Sequence, residues 1–276
     1  VITNSVVFFL KQNICFDNFA VEFYKYTIIM ALIQSLEKQG NFLFKYRGQF
    51  PVVLFILVVP FIYLTDYDNI SHKIQTFCLW CAIFFSFIGF LVRFYTIGTT
   101  PEGTSGRNTN KQVANILNST GMYSVVRHPL YLGNYFIWLG IAISTFNIFF
   151  IVIMSLLFWL YYERIIFAEE RFLERKFGNE YLDWSNTLPA FIPTLFNFKR
   201  SDTPFSIITV LRREYASVLA CVIGYVFVEL FRTYFTTNNW KVSILSLQFL
   251  VIILILVVIL KLLKSYTNML IEKGRS

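Results

Sequence analysis

Long apolar segments recur along this chain and constrain its fold more than any other feature. Six are evident, at about 51–65, 74–97, 130–145, 148–167, 215–235 and 242–263. A helix that spans a bilayer needs roughly 20 residues, so the first and third segments are long enough only with their less apolar flanks. None alternates as the strands of a membrane barrel do. The pattern predicts an all-α integral membrane protein with about six transmembrane helices.

The composition agrees with a lipid environment. Hydrophobic residues make up 56% of the chain and charged residues 14%, whereas a soluble domain carries about a quarter charged residues. The net charge of +8 requires nucleic acid to be considered as a partner. The basic residues stand at the ends of apolar segments, where membrane topology accounts for them. We therefore expect membrane lipids, and no nucleic acid, around this protein.

Cysteine usage gives little sign of a metal site. Cys78 and Cys81 have the spacing of half a zinc or redox site, but no second pair accompanies them. Both lie within an apolar segment, where cysteine packs as a small hydrophobic residue. We expect no bound metal.

Lysine and arginine predict the orientation. In a six-span arrangement nearly all of them fall on one side, and the opposite loops hold only Lys73 and Lys241. The positive-inside rule assigns the basic side to the cytosol, with both termini. Two long polar stretches, 98–129 and 168–214, then face the cytosol. A water-soluble cofactor has to bind on that side. The charge pattern fits a bacterial inner membrane and an endoplasmic reticulum equally.

The chain is expected to have three parts. Residues 1–50 form an N-terminal segment, 51–200 a membrane core, and 201–276 an extension of two membrane helices. The first methionine is Met30, and residues 1–29 lack a basic region followed by a cleavage site. No signal peptide is therefore predicted there, and we assign this segment no function.

Two apolar segments, 130–145 and 148–167, are separated only by Phe146 and Asn147, which predicts a tight helical hairpin. The stretch 162–184 has no proline and charges at helical spacing, so it predicts a helix that prolongs the fourth span out of the membrane. Residues 111–118 predict a short helix. Because a hairpin returns both ends to the same membrane face, polar residues before and after it are expected to meet.

The first polar motif is GMYSVVRHPLYLG at 121–133. One interpretation is that Arg127 anchors to lipid phosphate and His128 merely lies at the interface. The other is a binding site. Pro129 suits a first helical turn, whose outward amides favour negative charge, and Gly133 permits close approach of a ligand or another helix.

The second motif, 163–189, carries Glu163, Arg164, Glu169 and Glu170. A solvated helix with ion pairs accounts for the charges further along it. These four stand closer to the membrane, where charge is costly and a functional role gains weight. Glu163 and Glu170 are seven residues apart and share a helical face.

Together the two motifs carry a resemblance. The chain contains the pattern Gly-x-Tyr-x-x-x-Arg-His-Pro-x-Tyr-x-Gly, followed by a hairpin, by Glu-Glu-x-x-Leu-x-x-x-Phe-Gly-x-x-Tyr and by a later proline. This order of features is similar to that of the isoprenylcysteine carboxyl methyltransferase family and its bacterial relatives. It resembles the phospholipid N-methyltransferases more loosely. The resemblance covers about 111–193. The matching residues are Gly121, Tyr123, Arg127, His128, Pro129, Tyr131 and Gly133, then Glu169, Glu170, Leu173, Phe177, Gly178, Tyr181 and Pro189.

The resemblance implies a membrane methyltransferase core at 51–200 that uses S-adenosylmethionine in a cytosolic pocket. The chain agrees in lacking the G-x-G-x-x-G of a soluble dinucleotide-type fold. Carried over, the cofactor-binding residues are Asn115, Ile116, Leu117, Asn118, Tyr123, His128, Pro129, Leu130, Tyr131, and Glu169 or Glu170. Arg164 corresponds to an arginine that holds a substrate carboxylate. The implied acceptor is an isoprenoid, a lipid or a lipid-anchored group.

A carboxylate acceptor needs no base, whereas a hydroxyl or amine does, and His128, Glu163 and Glu169 are then the candidates. The sequence departs from the prenylcysteine enzymes at 185–187, where Ser-Asn-Thr replaces basic residues. This departure counts against a prenylcysteine acceptor.

Two alternatives stay open. One is a membrane reductase of the sterol type that uses NADPH, and the spacing of the two motifs favours the methyltransferase over it. The other is a non-catalytic membrane protein such as a transporter or scaffold. The apolar segments of this chain hold few ionisable groups, chiefly Arg93, Glu229 and Arg232. A transport pathway usually needs more such groups, which counts against a transporter.

Overall fold

The computed structural model describes residues 30–49, 51–104, 112–194, 196, 198–272 and 274–275. Helix α1 spans 30–45. The others are α2 (Pro51–Tyr63), α3 (His72–Gly98), a 3₁₀ helix (Met122–Ser124), α4 (Pro129–Ile143), α5 (Ile148–Phe177), α6 (Asn179–Ser185), α7 (Ile207–Thr237) and α8 (Ile244–Tyr266). No strand occurs within these ranges, where Gly121 and Lys199 form an isolated bridge. The predicted all-α membrane fold is confirmed, and residues 1–29 lie outside the described part.

Four helices, α3, α5, α7 and α8, are long and apolar enough to cross a membrane. The two other apolar helices are shorter, with 13 residues in α2 and 15 in α4. At a rise of 1.5 Å per residue, α4 extends only about 22 Å, less than the roughly 30 Å of a hydrocarbon core. The count of six spans therefore stays a prediction.

The predicted hairpin between α4 and α5 is confirmed. Phe146 turns the chain with a φ of 59°, and the Asn147 side chain caps α5 by accepting a hydrogen bond from the Phe150 amide at 2.9 Å. The amide group of Asn147 also donates to Thr65 Oγ1 at 2.8 Å. The hairpin tip is thereby tied to the end of α2.

Two expected helices differ in the structure. The helix expected over 162–184 is broken at Gly178, whose φ of 54° ends α5 and starts α6. This conformation suits glycine, the residue that most often ends helices. The described part of the expected helix at 111–118 is not helical. Its Asn115 amide donates to the Gly103 carbonyl at 2.6 Å, so a neighbouring loop replaces the helical partner.

Glycines let α3 and α4 pack with their backbones in close contact. A Cβ at Gly89 would lie 2.6 Å from the Gly133 carbonyl oxygen, and a Cβ at Gly133 would lie 2.5 Å from Arg93 Cγ. Small residues serve this purpose at helix interfaces within membranes. The close approach expected at Gly133 is therefore to another helix, and it places Arg93 beside the start of α4.

The predicted extension at 201–276 contributes two helices with different surroundings. Helix α7 packs against α2, α3 and α4, whereas α8 packs mainly against α7. Tyr225 of α7 donates to the Ala82 carbonyl at 2.8 Å, and its hydroxyl lies 2.8 Å from Ser86 Oγ. Most apolar side chains of α8 are exposed, as expected for a helix that faces lipid.

Helix α1 docks on α5. A Cβ at Gly40 would collide with the Arg164 carbonyl and with Ala168, so the two helices touch there. Arg175 and Glu37 form an ion pair of 2.5 Å at the end of the contact. The described part of the N-terminal segment is thus held against the membrane core.

Candidate functional site

A cavity of about 450 Å³ lies where α3 ends and where α4 and α7 begin. Side chains from α1, the loop after residue 112, the 3₁₀ helix and the middle of α5 complete it. Nine of the eleven residues predicted to hold the cofactor line this cavity. They are Ile116, Leu117, Asn118, Tyr123, His128, Pro129, Leu130, Tyr131 and Glu169.

His128 is held between two glutamates of α5. Its Nε2 lies 2.9 Å from Glu170 Oε1, and its Nδ1 lies 3.7 Å from Glu169 Oε2. Its ring stacks on Tyr131 at a centroid distance of 5.8 Å. The residue is buried, and the hairpin accounts for its meeting with residues some forty positions later.

Glu170 does not line the cavity and stands behind His128. Its Oε1 also lies 3.1 Å from Arg127 Nε. Because one carboxylate oxygen faces both the imidazole and the guanidinium, Glu170 fixes the position of His128 while its own charge is balanced.

The end of the second motif clamps the first motif in place. Arg127 donates from its amide to the Pro189 carbonyl at 3.0 Å and from its guanidinium to the Ser185 carbonyl at 3.1 Å. Trp184 Nε1 donates to the Tyr123 carbonyl at 3.2 Å. The turn at Gly178 brings α6 back over the cavity and makes these bonds possible.

Tyr123 presents a neutral phenol to the cavity. Burial, with a smaller contribution from the Glu169 carboxylate, raises the pKa of Tyr123 to about 12. The side chain therefore stays protonated at neutral pH and can donate a hydrogen bond.

A buried ion pair forms part of the cavity wall. Arg93 Nε and Nη2 donate to the two carboxylate oxygens of Glu214, each at 2.7 Å. Arg93 also donates to the side-chain oxygen of Asn134, whose amide donates to the Tyr162 hydroxyl at 3.0 Å. All four residues line the cavity. Sequence reasoning noticed Arg93 but missed its partner, 121 positions away.

Several further lining residues were not predicted. Phe44, Arg47 and Gly48 come from α1 and the turn after it, and Arg213 and Ser217 come from α7. None of them belongs to either motif. The only sequence signal was their position on the basic side of the membrane segments, which many other residues share.

Four predicted residues do not line the cavity. Glu163 and Arg164 pair with each other at 3.1 Å, and 49% of the Glu163 side chain is exposed. They point away because Tyr162 and Glu169 present the neighbouring face of α5 to the cavity. Asn115 contacts Gly103 instead, and Glu170 supports His128. The catalytic roles expected for Glu163 and Arg164 stay predictions.

Residues 77–180 match the model of a family described as phospholipid methyltransferase. This segment of the chain carries the family's pattern. The resemblance to the isoprenylcysteine carboxyl methyltransferases, drawn from the two motifs, is confirmed. The matched segment contains His128, Glu169 and Arg93, but it ends before Trp184 and α7.

The chain is also similar to individual proteins of two kinds. The chain is 32% identical over 125 residues to a nickel-cobalt-cadmium resistance protein of Alcaligenes xylosoxydans xylosoxydans, covering 45% of this chain and 47% of that protein. It is 33% identical over 85 residues to the protein-S-isoprenylcysteine O-methyltransferase of Saccharomyces cerevisiae, covering 31% and 36%. For the enzyme of that name from Dictyostelium discoideum, the values are 28% over 160 residues, covering 55% and 64%.

The chain thus spans less than half the length of the first two of these relatives. No solved structure gives a significant match. Within the described part of the chain, no group of three or more His, Cys, Asp or Glu side chains is placed to hold a metal ion.

Proposed function

We propose that this protein is an integral membrane methyltransferase that uses S-adenosylmethionine and methylates an isoprenoid, a lipid or a lipid-anchored acceptor. One observation carries the proposal: residues of two separated motifs line one cavity, with His128 held between Glu169 and Glu170. The family match favours methyl transfer over the reductase and the non-catalytic alternatives.

The cavity fits the proposed cofactor in size and chemistry. Its volume of about 450 Å³ lies within the range of small-molecule sites, roughly 300–1,000 Å³. The Glu169 carboxylate suits an ammonium group or a sulfonium, and the faces of Tyr123 and Tyr131 suit an adenine ring or a cation. Ile116, Leu117, Asn118, Pro129 and Leu130 would complete the binding surface.

When bound, S-adenosylmethionine supplies a methyl group on a positively charged sulfur. The residues of the cavity have to align acceptor and donor and keep water out. Tyr131 and Trp184 line the cavity, and the hydrogen bond between Arg127 and α6 fixes the start of α4. His128 and Glu169 are the lining groups that can accept a proton from a hydroxyl or an amine acceptor.

The cavity is proposed to face the cytosol. It lies at the end of the bundle that carries Arg47, Arg127 and Arg213, the side to which the positive-inside rule assigns the cytosol. The cofactor would then enter from water, while an amphiphilic acceptor would enter from the surrounding lipid.

Transfer of a tritiated methyl group tests the proposal. Purified protein in lipid nanodiscs is incubated with labelled S-adenosylmethionine and with vesicles of total membrane lipid, and lipid-soluble label is counted. We expect transfer by the wild type and a loss of about tenfold to a hundredfold in Glu169→Gln. Glu174→Gln is the matched control, because Glu174 lies on the same helix and pairs with Arg171 at 2.7 Å outside the cavity.

Glu163→Gln and Arg164→Gln, assayed alongside, measure whether this ion pair takes part in the reaction. Folded wild-type protein that neither binds nor uses S-adenosylmethionine would refute the proposed function.

A further inference from the structure

After α8 the chain folds back onto the helix bundle. This segment, residues 267–272 and 274–275, is called the strap here. It lies outside the segment that matches the family, which ends at residue 180, and none of these strap residues lines the cavity. Leu270 of the strap is buried, and the side chains of Glu272 and Arg275 both contact the ends of helices that form the cavity.

Glu272 contacts the start of α7. Its Oε2 accepts hydrogen bonds from the hydroxyls of Ser206 and Thr209, the second at 3.2 Å. Ser206 is the N-cap of α7, Thr209 lies in its first turn, and both are buried. Negative charge is favourable at the N-terminus of a helix. Glu272 therefore helps to fix the first turn of α7, the helix that carries Glu214 to the cavity wall.

Arg275 contacts the end of α3. Its guanidinium donates to the Gly98 carbonyl at 3.0 Å and also to the Pro204 carbonyl. Helix α3 ends at Gly98, and positive charge is favourable at the C-terminus of a helix. This one side chain therefore joins the end of α3 to the residues that lead into α7.

The strap also holds the loop after α3. The Glu102 amide donates to the Gly274 carbonyl at 3.1 Å. The Gly103 carbonyl, next in this loop, accepts from the Asn115 amide at 2.6 Å. Residues 116–118, which follow Asn115 and were predicted to hold the cofactor, line the cavity. A short series of contacts thus runs from the strap to the wall where the cofactor is proposed to bind.

We infer that Glu272 and Arg275 are positioning residues for the S-adenosylmethionine site. Through the loop after α3, the strap fixes residues 116–118 in the arrangement that binds the cofactor. The inference rests on the proposed function. It adds to the cofactor site a segment that lies outside both sequence motifs and outside the matched part of the chain.

The strap is not the only connection between α3 and α7. The Ser206 amide donates directly to the Gly98 carbonyl at 2.9 Å, and the ring of Phe205 packs on Gly98. These contacts remain when the side chains of the strap are shortened. The strap is therefore expected to act on the geometry of the cavity more than on the stability of the bundle.

Three measurements on the whole chain in lipid nanodiscs test the inference. They are the affinity for S-adenosylmethionine by calorimetric titration, the apparent KM for vesicles of total membrane lipid in the methyl-transfer assay, and the unfolding temperature. Loss of a charge-assisted hydrogen bond that acts through a loop should weaken the affinity about threefold to tenfold in Glu272→Ala and in Arg275→Ala. The apparent KM for the lipid vesicles and the unfolding temperature should change little.

Two further variants make the test specific. Glu272→Gln keeps an oxygen that can accept from both hydroxyls, so its affinity for S-adenosylmethionine should stay close to that of the wild type. Asn268→Ala is the matched control, since Asn268 is exposed on the same strap. Because Glu272 and Arg275 act through one segment, their double alanine variant should lose less affinity than the product of the two single effects.

Unchanged affinity in both single alanine variants, with normal binding by the wild type, would overturn the inference and leave the proposed function intact. A lower unfolding temperature without a change in affinity would also overturn it, since the strap would then serve stability alone. Failure of the folded wild type to bind S-adenosylmethionine would overturn the proposed function and this inference with it.

Discussion

His128 Nε2 lies 2.9 Å from Glu170 Oε1, across the hairpin that joins α4 to α5. This contact is one of the hydrogen bonds that link the two motifs, and the same carboxylate oxygen lies 3.1 Å from Arg127. Glu170 therefore determines where the imidazole stands without lining the cavity itself. Its removal should loosen His128 while leaving the cavity walls in place.

We expect Glu170→Ala to lower methyl transfer by about tenfold to a hundredfold, because an untethered imidazole loses its alignment. Glu170→Gln, which keeps an oxygen that can accept a hydrogen bond, should retain more activity than the alanine variant. Initial rates with labelled S-adenosylmethionine measure both. Glu174→Ala, one turn along α5, is the control. Equal rates in all three variants would show that Glu170 has no role in methyl transfer.

Loss of one partner of the buried ion pair should be costly. Glu214→Gln leaves the Arg93 guanidinium without its counter-charge, and we expect the free energy of unfolding to fall by about 3–5 kcal/mol. The double variant Arg93→Met with Glu214→Leu should recover much of this loss, because no unpaired charge is then buried. Thermal unfolding in detergent measures both.

Glu229→Gln, on the same helix, is the control for the ion-pair variants, since Glu229 accepts a hydrogen bond from the Ser243 amide in an exposed setting. A Glu214→Gln protein as stable as this control would contradict the role given to the pair.

The turn at Gly178 should resist substitution. With φ at 54° and ψ at −126°, an alanine is strained there, although nothing lies within 4 Å of the added carbon. We expect Gly178→Ala to destabilise the protein by about 1–3 kcal/mol and to weaken the clamp of α6 on Arg127. Gly48→Ala is the stability control, because Gly48 also has open space but no positive φ. Equal unfolding temperatures for the two variants would show that the turn is not strained.

Docking of α1 depends on Gly40. A side chain there collides with the backbone of α5 at Arg164, so Gly40→Val should release α1, which carries Phe44, and the following turn, which carries Arg47. The expected result is faster proteolysis before residue 49 and weaker binding of S-adenosylmethionine. Gln39→Val, at an exposed neighbouring position, should change neither, and intact protection in Gly40→Val would contradict the packing argument.

Sequence reasoning reached the parts of the site that depend on local pattern. His128 and Glu169 were predicted because each stands in a compact motif and because a hairpin must return its ends to one side. The Arg93–Glu214 pair was not predicted, since its partners are 121 positions apart and belong to two helices with no shared motif. Only tertiary packing of α7 against α3 brings them together.

Backbone details also escaped prediction. The loop after residue 112 has the composition of a short helix, but the hydrogen bond from Asn115 to Gly103 is formed with a loop that no local pattern identifies. Gly178 belongs to the second motif, yet only its positive φ shows that it turns the chain. In both places long-range contacts override local propensity.

Calorimetric titration of S-adenosylmethionine into detergent-purified protein tests the central claim most directly. The chain has two histidines, and His72 at the start of α3 lies outside the cavity, which makes His72→Ala a matched control for His128→Ala. The expected result is saturable binding to the wild type and to His72→Ala, weakened about tenfold or more in His128→Ala. No saturable binding to folded wild-type protein, or equal binding by all three, would contradict it.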